Sequence, residues 1–341
     1  MKLFFYLVFL VGASLYAKEN TFLIIASNPE NDRFQLDYIH IQKRKINPLL
    51  KELDYFDISA QSKKIVYKKK EIDNLFLGEI RTDTMNELKL LESKINFPFT
   101  SNDIFFTLSS DGAFLIWARC NQKEKTSSLF IMELATSSFR KICDITGFPY
   151  KMTCSPDNKM VAFYLKTKTI NILIDDYAEA YTSIKTGHTV CFPQSLPTRP
   201  TPMRTWGPRW SNNSKYIFYE GRLHPESPYF VLLADTDRQK IYQCIGGYWF
   251  QNEVLVIKPI AQKLKLYLNS LNSILNDSLD NKFIGEINTP AFNVSYLQQD
   301  KNRLYFQTPF NVIAFYDFNN HKKVDILQYK CGIAMLCPLV F

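Results

Sequence analysis

The sequence predicts an all-β fold assembled from repeated four-stranded units, on three observations. Aromatic residues make up 15% of the chain, with 27 Phe and 19 Tyr against 11 Gly, and such side chains pack well on pleated strands. From Phe22 onward, apolar segments of strand length alternate with polar turns. One stretch, CSPDNKMVAFYL (Cys154 to Leu165), recurs in altered copies. With 46% hydrophobic residues, the chain can bury a substantial core and does not read as disordered.

Taken in order, the chain begins with a short basic start, Met1-Lys2, and a nearly unbroken apolar run from Leu3 to Val11. Small residues follow at Gly12, Ala13, Ser14 and Ala17, which is the plan of a secretory signal peptide. Residues 1–17 are therefore read as that signal, with cleavage after Ala17 or after Ala13. The apolar run is too short for a spanning helix, and no Cys follows it to carry a lipid. No transmembrane segment is expected in the mature chain, 18–341. The expected location is periplasmic or secreted.

Three strand-like segments come next, FLIIAS, FQLDYIHIQ and INPLLK, within Thr21 to Lys51. Copies of the recurring stretch then follow: ISAQSKKIVYKK from Ile58, LSSDGAFLIWAR from Leu108 and the copy at Cys154. WSNNSKYIFYEG from Trp210, WFQNEVLVIKP from Trp249 and LQQDKNRLYFQT from Leu297 complete the six. Each has an apolar lead-in, a polar turn and an apolar strand. Asp, Asn, Ser and Gly suit the turn because they tolerate positive φ or bond locally to the backbone. Most copies continue into a third strand ending in an acidic or polar residue, such as YFVLLADTD (Tyr229 to Asp237), and then an amphipathic fourth, such as RQKIYQC.

Four strands repeating every 40–50 residues or so describe the blades of a β-propeller. The turns resemble the TolB-type repeat, W-S-P-D-G-K-x-I-A-F: Ser155-Pro156-Asp157 and Trp210-Ser211 match it best, and Ser110-Asp111-Gly112 in part. The resemblance covers nearly all of the mature chain, without the separate N-terminal domain of TolB. It implies an architecture and, as a partner, a protein of the cell envelope or of the extracellular space. The apolar segment GIAMLCPLVF (Gly332 to Phe341) lacks a unit of its own, so it is expected to complete a blade with the N-terminal strands and remove two exposed sheet edges. The expectation is a single domain of seven blades of four antiparallel strands, with six as the alternative.

The net charge of +8 is spread along the chain, and its densest run, Lys68-Lys69-Lys70, ends a strand. Nothing clusters the charge as a nucleic-acid surface would require. The seven Cys include no C-x-x-C pair, which argues against a zinc ribbon or a thioredoxin-type site. Cys331 and Cys337 are the pair to test for a disulfide. His40, His188, His224 and His321 stand far apart, and no ligand spacing supports a metal. Asp175-Asp176 and Asp235/Asp237 read as strand-end turns. No nucleophile elbow, zinc-protease helix or P-loop occurs. Ser109 to Trp117 falls short of the sialidase Asp box, because Gly112 directly follows Asp111 and Ala113 takes the Gly position. Neither catalytic residues nor a cofactor are assigned.

One stretch departs from blade sequence: FPQSLPTRPTPMRTWGPRW, Phe192 to Trp210. Five prolines keep it from being a ladder strand. It reads as an inserted loop at about 192–209 in which Arg199, Arg204, Trp206 and Arg209 are the candidate binding residues, since Arg and Trp dominate protein interfaces. Trp210 holds the repeat's own Trp position and is read as structural. The function expected is a non-catalytic, protein-binding scaffold. The alternative is a propeller hydrolase or lyase acting on glycans or peptides in the central channel.

Overall fold

The computed structural model describes residues 21–30, 33–41, 43–59, 61–69, 75–80, 89–92, 104–171, 174–192, 207–221, 230–244, 248–250, 253–260, 263–276, 278, 280–288, 297–300, 302–308, 311–329 and 333–340. The strands are antiparallel and fall into six sheets arranged as a ring. The first sheet holds β1 (Thr21–Glu30), β2 (Arg33–His40), β3 (Lys45–Ser59), β4 (Lys64–Lys69), β5 (Leu75–Glu79) and β6 (Lys89–Glu92). The second runs from β7 (Ile104–Leu108) through β8 (Phe114–Asn121) and β9 (Thr126–Glu133) to β10 (Phe139–Thr146). The third comprises β11 (Phe148–Cys154), β12 (Met160–Asn171), β13 (Ile174–Ser183) and β14 (Thr189–Cys191).

The fourth sheet contains β15 (Arg209–Trp210), β16 (Tyr216–Gly221), β17 (Phe230–Asp235) and β18 (Lys240–Cys244). The fifth has β19 (Tyr248–Phe250), β20 (Glu253–Ile260), β21 (Lys263–Asn269) and β22 (Lys282–Asn288), with a short helix α1 (Leu271–Leu275) before its last strand. The sixth is β23 (Leu297–Asp300), β24 (Arg303–Gln307), β25 (Val312–Asp317) and β26 (Lys322–Gln328). β27 (Ile333–Val340) then returns to the first sheet and pairs with β1 from Thr21↔Val340 to Ser27↔Ile333. The expected closure by N- and C-terminal strands is thus formed.

The blade count is six, not the expected seven. The terminal strands and the first repeat share one seven-stranded sheet, ordered β27-β1-β2-β3-β4-β5-β6. β3 pairs with β2 up to Leu53 and with β4 from Leu53 onward. Between β10 and β11, Gly147 turns the chain at φ +105° and the two strands enter different sheets. At the corresponding place in β3, no turn sequence intervenes. Glu52 takes φ +58°, the ladder register shifts, and the strand runs on as a bulge bends it. The two halves of this wide sheet pack a common core of Leu36, Tyr38, Leu53, Phe56, Ile65 and Tyr67.

Neighbouring sheets pack face to face, so the second strand of a sheet is covered on both sides. This explains the continuous apolar runs, which lack the alternation of a half-exposed strand. Val161 to Leu165 of β12 are all buried, as are Ile217 to Tyr219 of β16 and Leu304 to Phe306 of β24. Ile116 and Leu129 meet Phe163 and Ala180 across one such interface, and Ile39 meets Tyr305, Phe315 and Tyr329 across the closing one. Burying each large apolar side chain contributes about 1.5–3 kcal/mol.

The recurring turns join the first two strands of a four-stranded sheet, or β3 to β4 in the first sheet, and three of them share one hydrogen-bond pattern. In those three a Ser hydroxyl donates to the residue two places on: Ser109 to Asp111 (2.6 Å), Ser155 to Asp157 (2.7 Å) and Ser211 to Asn213 (2.7 Å). The same hydroxyl accepts from Phe114, Met160 or Tyr216 N–H at 2.8–3.0 Å. In five blades, a backbone N–H from the turn between the third and fourth strands donates to a carbonyl of this first turn. These are Ile80 to Lys63, Leu134 to Ala113, Ile184 to Lys159, Thr236 to Lys215 and Phe318 to Asn302, at 2.7–2.9 Å. Both sets of turns therefore lie at one end of the ring.

Candidate functional site

By strand direction, the end opposite those turns receives the connections from each fourth strand to the next sheet, among them the segment between Phe192 and Gly207. Arg199, Arg204 and Trp206 lie outside the described residues. The two places where that segment meets the blades are well defined. Phe192 is buried between Tyr181 and Tyr219, with ring centroids 5.7 and 6.3 Å away, and its N–H donates to Glu179 O at 2.9 Å. Glu179 is itself buried. The Tyr219 phenol, which donates to Ala180 O at 2.8 Å, is held far above its ordinary pKa by burial and then by the charge of Glu179.

At the other end, Gly207 takes φ +88° against the chain at Lys151, where a Cβ would meet Lys151 O at 2.6 Å. The Thr153 hydroxyl donates to Pro208 O at 2.7 Å, and Trp210 Nε1 donates to Thr153 O at 3.1 Å. Trp249 Nε1 donates in turn to Arg209 O at 3.0 Å. Each of these two Trp side chains thus reaches from the first strand of its own sheet to the first strand of the sheet before it. Arg209, half-buried on β15, lies within this bracing.

The first strands line the axis of the ring. Tyr55 packs edge-on against Phe106, and Phe105 edge-on against Tyr150, at 4.8 and 5.1 Å between centroids. Beside them, the Asp57 carboxylate accepts from Leu108 N–H (2.8 Å), the Thr107 hydroxyl (2.9 Å) and Ile58 N–H (2.9 Å). Leu108 N–H points away from β8, because the next amide, Ser109, donates to Phe114 O in that direction. Asp57 therefore caps the free edge of β7. Burial holds its carboxyl above the ordinary range, while the three hydrogen bonds pull the other way. Burial and then the charges of Asp111, Asp157 and Asp57 push the Cys154 thiol up to about 12, so it stays protonated at neutral pH and is a poor nucleophile.

His188 and His321 are exposed, His40 is half-buried and His224 lies outside the described residues. Burial, and then Lys43, lowers the His40 pKa. Among the described residues, no group of three or more His, Cys, Asp or Glu could hold a metal. Cys143, Cys154 and Cys191 are free thiols, and Cys120 Sγ accepts from the Ser127 hydroxyl at 3.3 Å. Cys331 lies outside the described residues, and Cys337 is placed by its backbone pairing with Ile24. Asp235 accepts from Asp237 and Arg238 N–H at 3.0 Å, as a turn residue does.

Sequence reasoning missed a pocket of about 620 Å³ at the closing seam. Asp37, on β2, is buried, and its carboxylate accepts from Gln35 Nε2 at 2.7 Å and from the Tyr329 hydroxyl across the seam. Lys51, Asn311 and Gln328 complete the polar wall, and Ile46 and Pro48 form the apolar one. The only signal for it in the sequence was the expectation that the two ends of the chain meet.

No family model and no curated protein matches the chain by sequence. Among solved structures, an oligogalacturonate lyase in complex with manganese matches with a TM-score of 0.54 at 10% identity, over 80% of this chain and 75% of that one. TolB from Acinetobacter baumannii matches with 0.50 at 12% identity, over 94% and 66%. An acylaminoacyl peptidase from Pyrococcus horikoshii matches with 0.52 at 10% identity, over 90% and 52%. The chain thus spans about two thirds of that TolB and half of that peptidase. The ring of antiparallel sheets, the recurring turns and the closure by β27 together give this chain the fold of a TolB-like β-propeller.

Proposed function

We propose that the protein is an exported, non-catalytic β-propeller that binds a protein partner in the cell envelope or outside the cell. The observation that carries this reading is the bracing on both sides of the proline-rich segment. Phe192 on one side and Gly207 to Trp210 on the other are fixed by burial and by bonds to neighbouring blades. A segment held at both ends loses less conformational freedom on binding, which favours affinity. Arg199, Arg204, Trp206 and Arg209 are the contacts proposed. The Asp57 and Asp235 carboxylates serve strand edges and turns, which agrees with a scaffold. Export rests on the sequence of residues 1–17.

A second reading, an enzyme with its site in the channel, is favoured by the lyase and the peptidase among the structures of like fold. A pull-down from envelope extract distinguishes the two. The chain should capture a partner that is lost when Arg199, Arg204 and Arg209 are all changed to Ala, with the melting temperature unchanged. Capture that is equal with both forms would remove the segment from the interface. Absence of any partner, together with turnover of a pectic or peptide substrate, would favour the enzyme.

A further inference from the structure

We infer that the seam pocket is a binding site for a short, uncharged saccharide, an inference independent of the scaffold reading. Its volume, about 620 Å³, falls within the range of about 300–1,000 Å³ typical of small-molecule sites. The equivalent cleft between the third and fourth sheets is filled by aromatic rings: Phe192 packs there against Tyr181 and Tyr219. At the seam, Tyr329 follows β26 as Phe192 follows β14. Its ring reaches across to Asp37 and leaves room beside it.

The wall is built from groups of fixed direction. The Asp37 carboxylate accepts from Gln35 Nε2 and from the Tyr329 hydroxyl, which fixes the direction of the Gln35 amide. Gln35 has committed one N–H to Asp37 and keeps its carbonyl as an acceptor. Asn311 Oδ1 accepts from Gln307 at 3.2 Å, which turns the Asn311 amino group into a donor. Gln328 offers both functions, and the Lys51 ammonium only donates.

A sugar matches such a wall because each hydroxyl both donates and accepts, while its C–H face suits Pro48 and Ile46. Among the described residues of the lining, one carboxylate and one ammonium stand near electrical balance, which favours a neutral ligand over an ion. The lining also comes from both ends of the chain: Gln35, Asp37 and Lys51 from one, Asn311, Gln328 and Tyr329 from the other. A bound ligand would therefore tie the seam, and by mass action raise the stability of the whole ring.

The test is thermal unfolding and calorimetric titration of the full chain with cellobiose, lactose and diacetylchitobiose. Sorbitol at the same concentration controls for the general stabilising effect of polyols. At least one disaccharide should give saturable heat and raise Tm beyond sorbitol. Gln328→Ala and Lys51→Ala leave the Asp37–Tyr329 link untouched, so each should keep the unliganded Tm and weaken binding about tenfold. The inference is overturned if no disaccharide exceeds sorbitol up to roughly 10 mM, well above a millimolar Kd. It is equally overturned if both variants respond as the unaltered chain does.

Discussion

Asn158 and Ser214 stand where the TolB-type turn has Gly, and both take the left-handed conformation, at φ +58° and +59°. Their side chains put the departure to use. Asn158 Oδ1 accepts from Ser110 N–H at 3.0 Å, and the Ser214 hydroxyl accepts from Asp157 N–H at 3.1 Å. Each non-glycine residue thus grips the turn of the preceding blade. Gly112, which has no side chain, gives up that space to Ser62, whose Oγ lies 2.0 Å from where a Cβ would stand. Asn158→Gly restores the repeat's Gly but removes the grip, so it should cost about 1 kcal/mol in urea unfolding; a gain would mean that backbone strain outweighs the bond. Cys154 supplies a pH-dependent check at the same scale. With its thiol raised to about 12, its alkylation in the native state should be slow at pH 8 and rise about tenfold per pH unit. The exposed Cys191 should be labelled first, and peptide mapping separates the two. The turn residues were legible in the sequence because their chemistry is local. The role of Asp57 was not, since it caps a strand reached only some fifty residues later.

Among the elements, the strands and turns followed from the sequence, while the division into sheets did not. The repeat was recognised from its turns, and a turn announces itself by Gly, Asn, Asp or Ser. The passage from the terminal strands to the first repeat contains none at Lys51-Glu52, and there hydrogen bonding carries straight through β3. Gly147 is the contrast, a single residue that separates two sheets. A Cβ at that position would meet Lys166 O at 2.6 Å, with φ already at +105°. Gly147→Ala should therefore destabilise the fold by about 2–3 kcal/mol, by backbone strain and displacement of β12. Equilibrium denaturation measures this directly, and a loss below 1 kcal/mol would show that β10 and β11 have freedom to shift. Trp210 fulfilled its sequence reading as a structural residue, through a bond to Thr153 O that no local pattern could disclose.

At the scale of the whole molecule, closure unites the ends of the chain, and Asp37 meets Tyr329 across 292 residues of sequence. The meeting of the ends was legible as two incomplete pieces of one blade. The pocket formed there was not, because its lining joins β2 and β3 to the end of the last repeat, and no motif marks either part. Removing residues 332–341 should lower the unfolding midpoint of the entire ring in one transition, since β1 loses one of its two partners along its length. An unchanged midpoint by both fluorescence and circular dichroism would show that the seam is held by side chains alone.

That seam also sets a schedule. β1 emerges from synthesis more than three hundred residues ahead of β27, the strand it needs on one side. At about 5–20 residues per second, that interval lasts roughly fifteen seconds to a minute. Through all of it β1 presents an unsatisfied edge, the kind of surface that recruits other chains. The ring cannot lock before β27 arrives, so closure is the last step its folding can take.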